Sequence, residues 1–245
     1  MKDINLIIDV GNSFVKLAGF KYNALVFKTV IHLEALTEKV KTLKVDYPAI
    51  NKGIISSVGR LDNNQIKTLE KDIDLLQLTH NTKVPFTNSY KTPKTLGIDR
   101  IALVSAATYH YPNQNTLVID AGTCITYDIV TQSMVYLGGA ISPGITMRYK
   151  ALNNFTAKLP LLEKEHPSEI IGNTTESSIH VGVVRAVVNE INGFISAYKD
   201  IYPDLTVILT GGDANFLSEQ LKSGIFANSN FLLEGLNYIL EFNTN

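Results

Sequence analysis

The chain has 245 residues, 45% hydrophobic and 18% charged, with a net charge of −1 spread along its length; this suits one large domain or two of ordinary size around a sizeable core. That balance carries no electrostatic footprint for nucleic acid or an acidic membrane surface, and the apolar run after Met1, Lys2 and Asp3 is too short for a signal-peptide core or a membrane span. A single cysteine, Cys124, excludes an internal disulfide, so the expectation is a cytoplasmic protein whose fold does not depend on oxidation.

In chain order, Leu6-Ile7-Ile8 predicts a short strand running into Asp9-Val10-Gly11-Asn12-Ser13. Phe14 to Phe20 follows as a second strand, Lys21-Tyr22-Asn23 as a turn and Ala24 to Ile31 as a third strand. Strands joined by such short polar connections are antiparallel neighbours. Glu34 to Leu43 and Asn64 to Leu76 have the apolar spacing of amphipathic helices, with an isolated apolar strand, Lys52 to Val58, between them. Ile98 to Tyr109 predicts a helix that opens directly after Gly97. The polar, proline-containing stretch Tyr111 to Gln114 marks the join between two halves.

Roughly half a chain length after the first turn the plan repeats. Leu117-Val118-Ile119-Asp120-Ala121-Gly122-Thr123-Cys124 echoes Leu6 to Ser13, and Cys124 to Val130, Thr131-Gln132-Ser133 and Met134 to Ile141 echo the meander. Glu176 to Tyr198 predicts the longest helix, with Val184, Val187, Val188, Ile191, Phe194, Ile195 and Tyr198 on one stripe, the spacing of a core or interface face. Leu205 to Leu209 is a last isolated strand. It enters Thr210-Gly211-Gly212-Asp213-Ala214, where Asp213 can cap a helix continuing through Phe216 to Leu221. Strands set between helices pair in parallel, so each half is expected to be a mixed sheet.

A strand that stops at a tight glycine turn exposes backbone N–H groups that can face phosphate oxygens, and a following hydroxyl or amide side chain adds donors. An aspartate there repels a bare polyanion, and makes sense only with a cation between it and the phosphates, either Mg2+ or a monovalent ion. Lys16, on the next strand, can reach back toward the same phosphates. The paired glycines Gly211 and Gly212 allow the backbone to lie against a planar base or its ribose. The chain has no G-x-x-x-x-G-K-S/T, no G-x-G-x-x-G after a strand and no H-R-D loop. His166 and His180 have no partner at metal spacing and read as solvated or hydrogen-bonded residues, and Cys124 as a small buried filler.

With these sites in this order the chain resembles the type III pantothenate kinases, of the superfamily that includes acetate and sugar kinases, Hsp70 and actin. Asp9 to Lys16 is similar to the first phosphate motif, Asp120 to Asp128 to the second, and Thr210 to Ala214 to the adenosine motif. Three further segments resemble signatures of the family itself: Tyr90 to Arg100 (Y-x-x-P-x-x-x-G-x-D-R), Gly138 to Gly144 (G-G-x-I-x-P-G), and Gly172-Asn173-Thr174-Thr175 with Gly182.

The resemblance implies an α/β fold of two ribonuclease H-like domains, 1–113 and 114–245, each a mixed sheet flanked by helices. It implies transfer of the ATP γ-phosphoryl group to the primary hydroxyl of pantothenate, giving 4'-phosphopantothenate in the first step of coenzyme A biosynthesis, with Mg2+ and K+ or NH4+. Asp99 is then the proton acceptor. Tyr90, Gly97, Ile98, Asp99, Arg100 and Thr175 hold the acceptor. ATP is bound by Asp9, Val10, Gly11, Asn12, Ser13, Phe14, Val15 and Lys16 with Thr123, Gly211 and Gly212, and Asp120 takes the monovalent cation. Family members resemble one another as homodimers, whose interface the stripe on Glu176 to Tyr198 would supply. Two alternatives remain open: a Bvg accessory factor-like transcription protein on the same scaffold, and a related small-molecule kinase. Without the resemblance, Asp99-Arg100 reads as a helix cap beside a surface charge.

Overall fold

The computed structural model describes residues 3–11, 14–57, 61–221 and 224–244; Asn12 and Ser13 of the first turn, and Val58 at the end of one expected strand, lie outside them. The chain packs as two compact units, Met1–His110 with Asn230–Asn245, and Tyr111–Ser229.

In the first unit, β1 (Ile4–Val10), β2 (Val15–Lys21), β3 (Ala24–Ile31), β4 (Ile50–Ser57) and β5 (Asp74–Gln77) form one sheet in the order β3-β2-β1-β4-β5. β1 pairs antiparallel with β2 and parallel with β4. Being central and covered on both faces, it is buried along its whole length, which is why it reads as an unbroken apolar run. The helices are α1 (Leu36–Asp46), α2 (Asn63–Glu70) and α3 (Ile98–His110); a two-residue strand, β6 (Thr87–Asn88), precedes α3. The helix expected over Asn64 to Leu76 stops at Glu70. The remainder is β5, whose Leu75 and Leu76 pair in parallel register with Gly53 and Ile54 of β4. The open edge of β4 claims these residues, an override of helical spacing by tertiary pairing.

The second unit repeats the plan with β7 (Thr116–Ala121), β8 (Cys124–Val130), β9 (Val135–Pro143), β10 (Thr206–Thr210) and β11 (Ile225–Ala227), in the order β11-β10-β7-β8-β9. β7, β8 and β9 are antiparallel, whereas β10 is parallel to β7 and to β11. Its helices are α4 (Ile145–Asn154), α5 (Thr175–His180), α6 (Ala186–Ile201) and α7 (Ala214–Ser218). The single long helix expected over Glu176 to Tyr198 is thus two helices joined by a π-helical stretch, Val181–Arg185. Its apolar stripe is core. Val184, Val187, Val188, Ile191 and Ile195 are buried in the cluster that fills this unit, and Phe194 stacks on Tyr127 with ring centroids 4.1 Å apart. The stripe is therefore spent within the chain and is not a free interface face.

A division at residue 113 follows chain order, whereas the last helix, α8 (Phe231–Thr244), packs with the first unit. Phe231, Leu233, Leu236, Ile239 and Leu240 bury its apolar face. Asn237 joins Asn5 of β1 by a 2.8 Å hydrogen bond. Gly235 lies so close to the Ala102 carbonyl of α3 that any Cβ there would collide with it.

Candidate active site

In the first unit β1 delivers Asp9 to the carboxyl end of the central strand, the end at which ligands bind in open α/β sheets. The turn closes with a hydrogen bond from Gly11 N to Phe14 O, 3.0 Å. Val10 and Val15, cross-strand partners, send their side chains into the core, so only their backbones can face a ligand. Phe14 is half-exposed, with its ring against His32. Lys16 reaches back as expected, its Nζ 3.5 Å from Asp9 Oδ2. Burial raises the Asp9 carboxyl above its ordinary value; Lys16 opposes this and the charge of Asp99 adds to it. Lys28, on the same sheet face as Lys16, is a further cation near the turn, its ammonium lowered by burial and by Lys16. It carries no motif, and only the β2–β3 register reveals it.

The segment from Tyr90 to Gly97 leads directly into α3. Pro93–Thr95 forms a 3-10 turn, and His80 Nε2 lies 2.8 Å from the Leu96 carbonyl oxygen, fixing the approach to the helix. The Asp99 carboxylate folds over Gly97, and a Cβ there would displace Oδ1 from that position. Asp99 Oδ1 accepts a 2.8 Å hydrogen bond from Arg100 N at the positive end of α3. Arg100 is not the surface charge that a plain cap would leave. It is 4% exposed, and its guanidinium lies 5.6 Å from the Tyr90 ring centroid. Ile98 is half-buried beside them.

In the second unit the repeat holds in detail. Asp120 is the penultimate residue of β7, Gly122 N donates to Cys124 O at 2.9 Å, and Thr123 is exposed at the tip of the turn. Gly211 has φ +98°, a conformation side chains rarely adopt, and a Cβ there would strike both Asp120 Oδ1 and Ala121 O. The Gly211-Gly212 turn and the second Asp turn are thus in contact, while Gly212 is open on its outer side. Asp213 occupies the N-cap position of α7 but caps nothing with its side chain; its carboxylate is paired with Lys164 instead. The buried Thr126 sits directly across from Asp120 in the β7–β8 register, and its Oγ1 has no hydrogen-bond partner. Oxygen donors so placed fit a hard cation such as a monovalent ion.

Thr175 opens α5 behind a reciprocal cap between Thr174 and Ser177, exposed to solvent. His180 Nδ1 lies 2.7 Å from Tyr149 Oη and His166 Nδ1 lies 2.8 Å from Gln220 Nε2, so both histidines are hydrogen-bonded. No cluster of three or more metal-binding side chains occurs among the described residues. Cys124 is partly exposed at the start of β8 rather than a buried filler, because the turn lifts it out of the sheet.

Two units that each join an antiparallel meander to parallel strands, and each carry an Asp-Gly turn after a central strand, define the fold class of the sugar kinases and actin. Solved structures bear out this fold. A glucokinase from an Antarctic psychrotroph aligns with TM-score 0.57 at 13% identity, covering 99% of this chain and 100% of that one. A Campylobacter jejuni protein assigned to the Baf family of transcriptional activators aligns with TM-score 0.65 at 22% identity, covering 97% and 98%. Sequence comparison is more specific. The family model described as type III pantothenate kinase matches residues 5–197. A type III pantothenate kinase of Christiangramia forsetii is 52% identical over 240 residues, covering 98% of this chain and 99% of that protein. One of Flavobacterium johnsoniae is 45% identical over 237 residues, covering 97% of each. The chain belongs to the type III pantothenate kinase family.

Proposed function

We propose that this chain phosphorylates pantothenate from ATP with Asp99 as the general base, giving 4'-phosphopantothenate for coenzyme A biosynthesis. One observation supports the assignment of roles: at the start of α3 Asp99 accepts a hydrogen bond from Arg100 N, and the buried Arg100 guanidinium lies 5.6 Å from the Tyr90 ring centroid, so the three motif residues of the expected acceptor segment come together.

Asp99 would orient the acceptor hydroxyl and take its proton as the new P–O bond forms, while the bond to the departing ADP breaks. A positioned base of this kind contributes on the order of 10²–10⁴ in rate, and the larger share in phosphoryl transfer comes from positioning and charge neutralisation. Arg100, buried against Tyr90, presents a planar fork suited to the carboxylate of pantothenate. Gly97, Ile98 and Thr175 complete the acceptor set. Val10 to Lys16, with Asn12 and Ser13, would contact the phosphates through backbone N–H groups and Lys16 Nζ, and Thr123, Gly211 and Gly212 are the further ATP contacts of this reading. Asp9 and Asp99 are the oxygen donors of the first unit that would hold Mg2+, which would supply charge neutralisation for the phosphates. Asp120, with the partnerless hydroxyl of Thr126, would hold K+ or NH4+.

The test is Asp99→Asn. It should keep nucleotide affinity within about twofold, since the amide preserves shape, while turnover falls by on the order of 10² or more. Equal turnover in the variant would remove Asp99 as the base. The same reading includes a homodimer in the cytoplasm, supported by family membership. No helix among the described residues is long and apolar enough to cross a membrane.

A further inference from the structure

Arg148 lies in the first turn of α4, outside every phosphate or acceptor motif. Its guanidinium folds back on the end of β9, with Nε donating to Pro143 O at 2.9 Å and Nη2 to Ser142 Oγ at 2.8 Å. Glu190 of α6 holds the same guanidinium, with Oε2 2.5 Å from Nη2, and accepts at Oε1 a 2.9 Å hydrogen bond from Tyr127 Oη of β8. Burial alone would raise the Glu190 carboxyl, but hydrogen bonds from Arg148, Ser142 and Tyr127 outweigh it and hold it below its ordinary value. The pair is thus ionised, partly buried and held by neighbours on β8, β9, α4 and α6.

What this network holds matters more than the network itself. Gly144, which follows Pro143, donates from its N to Thr123 O at 3.1 Å. A Cβ on Gly144 would collide with the Gly122 carbonyl and come within 2.6 Å of the Thr123 carbonyl oxygen. The second phosphate turn therefore rests directly on the Pro143-Gly144 backbone, with no space for a side chain between them. A shift of Pro143 passes straight into Gly122 and Thr123.

We infer that Arg148 and Glu190 are positioning residues for ATP: the ion pair fixes Ser142 to Gly144, and this backbone in turn sets the Gly122-Thr123 turn at the height the phosphates need. The inference rests on the reading of Thr123 as an ATP contact. Between them the two side chains bond to Pro143, Ser142 and Tyr127, outside the turn itself, so both would act through the turn, as outer groups orient the ligands of a metal site.

The experiment measures the KM for ATP and for pantothenate, with thermal unfolding alongside, in Thr123→Ala, Arg148→Met, Arg148→Lys and Glu190→Gln. Arg148→Met is expected to raise the ATP KM roughly tenfold or more, with the pantothenate KM within about twofold of the parent. Arg148→Lys and Glu190→Gln should fall between, because each keeps part of the hydrogen bonding; they also carry the test if Arg148→Met does not fold. A purely structural role would lower the unfolding temperature and leave both KM values unchanged in the folded variants, which would overturn the inference. Thr123→Ala separates the two levels. If it leaves the ATP KM unchanged, the reading of the turn fails; if it raises that KM and the Arg148 and Glu190 variants do not, the positioning role fails.

Discussion

Burial lifts the Asp9 carboxyl above its ordinary value of 3.8, Lys16 pulls it back, and the Asp99 charge pushes it up again. A group whose folded pKa is raised favours the folded state below its unfolded pKa, and that contribution is lost as pH rises through the folded value. At neutral pH the Asp9 carboxyl is therefore a burden on the empty protein, which under the proposed function a bound cation and phosphates would offset. Asp9→Asn should raise the unfolding temperature at neutral pH without nucleotide, and the gain should vanish in acid, where the parent is protonated too. The same variant should weaken Mg2+-ATP binding. A lower unfolding temperature at neutral pH with full nucleotide affinity would contradict both halves of this account. Gly97 and Gly211 show the complementary constraint, each leaving space that a neighbouring aspartate carboxylate fills.

At the scale of elements, α8 joins β1 and α3 late in the chain and closes the first unit through a glycine contact. Gly235→Ala would add about 1 kcal/mol of helix propensity, yet its Cβ has no space against the Ala102 carbonyl. Overpacking of this kind costs about 1–3 kcal/mol, so the net expectation is a lower denaturation midpoint with ATP and pantothenate KM values unchanged. A stabilised variant would show that α8 can move away from α3 freely. The duplicated strand–Asp–Gly turns, the meanders after them and the helix opening at Ile98 were legible because each rests on local spacing. Three features were not, and each depends on distant partners. β5 is a strand only because β4 offers an open edge. The break at Val181–Arg185 leaves the apolar period intact, so periodicity cannot reveal it. α8 belongs to the first unit through contacts with Asn5 and Ala102, far away in sequence. Within the site, Asp99, Arg100 and Tyr90 carry a motif; Thr126 lies inside the Asp120 to Asp128 segment, but only strand register sets it across from Asp120, and Lys28 becomes visible only through register.

At the scale of the whole molecule, the stripe on α6 is consumed by the core of the second unit, so a homodimer needs another surface. Exposed Ile170 and Ile171, just before Gly172 and the exposed Thr175, are one apolar patch of that unit free to serve. Sedimentation at working concentration should give a dimer; a monomer with full activity would remove the dimer from the account. The two strand–Asp–Gly turns belong to a fold shared with a glucokinase, and under the proposed function the segment from Tyr90 to Arg100 specifies the acceptor. The most direct test is therefore ADP release by the purified protein with ATP, Mg2+ and K+ or NH4+, with and without pantothenate. The account predicts release that depends on pantothenate, matches 4'-phosphopantothenate one for one, and falls when the monovalent ion is replaced by a bulky organic cation. ADP release at the same rate without pantothenate would contradict it.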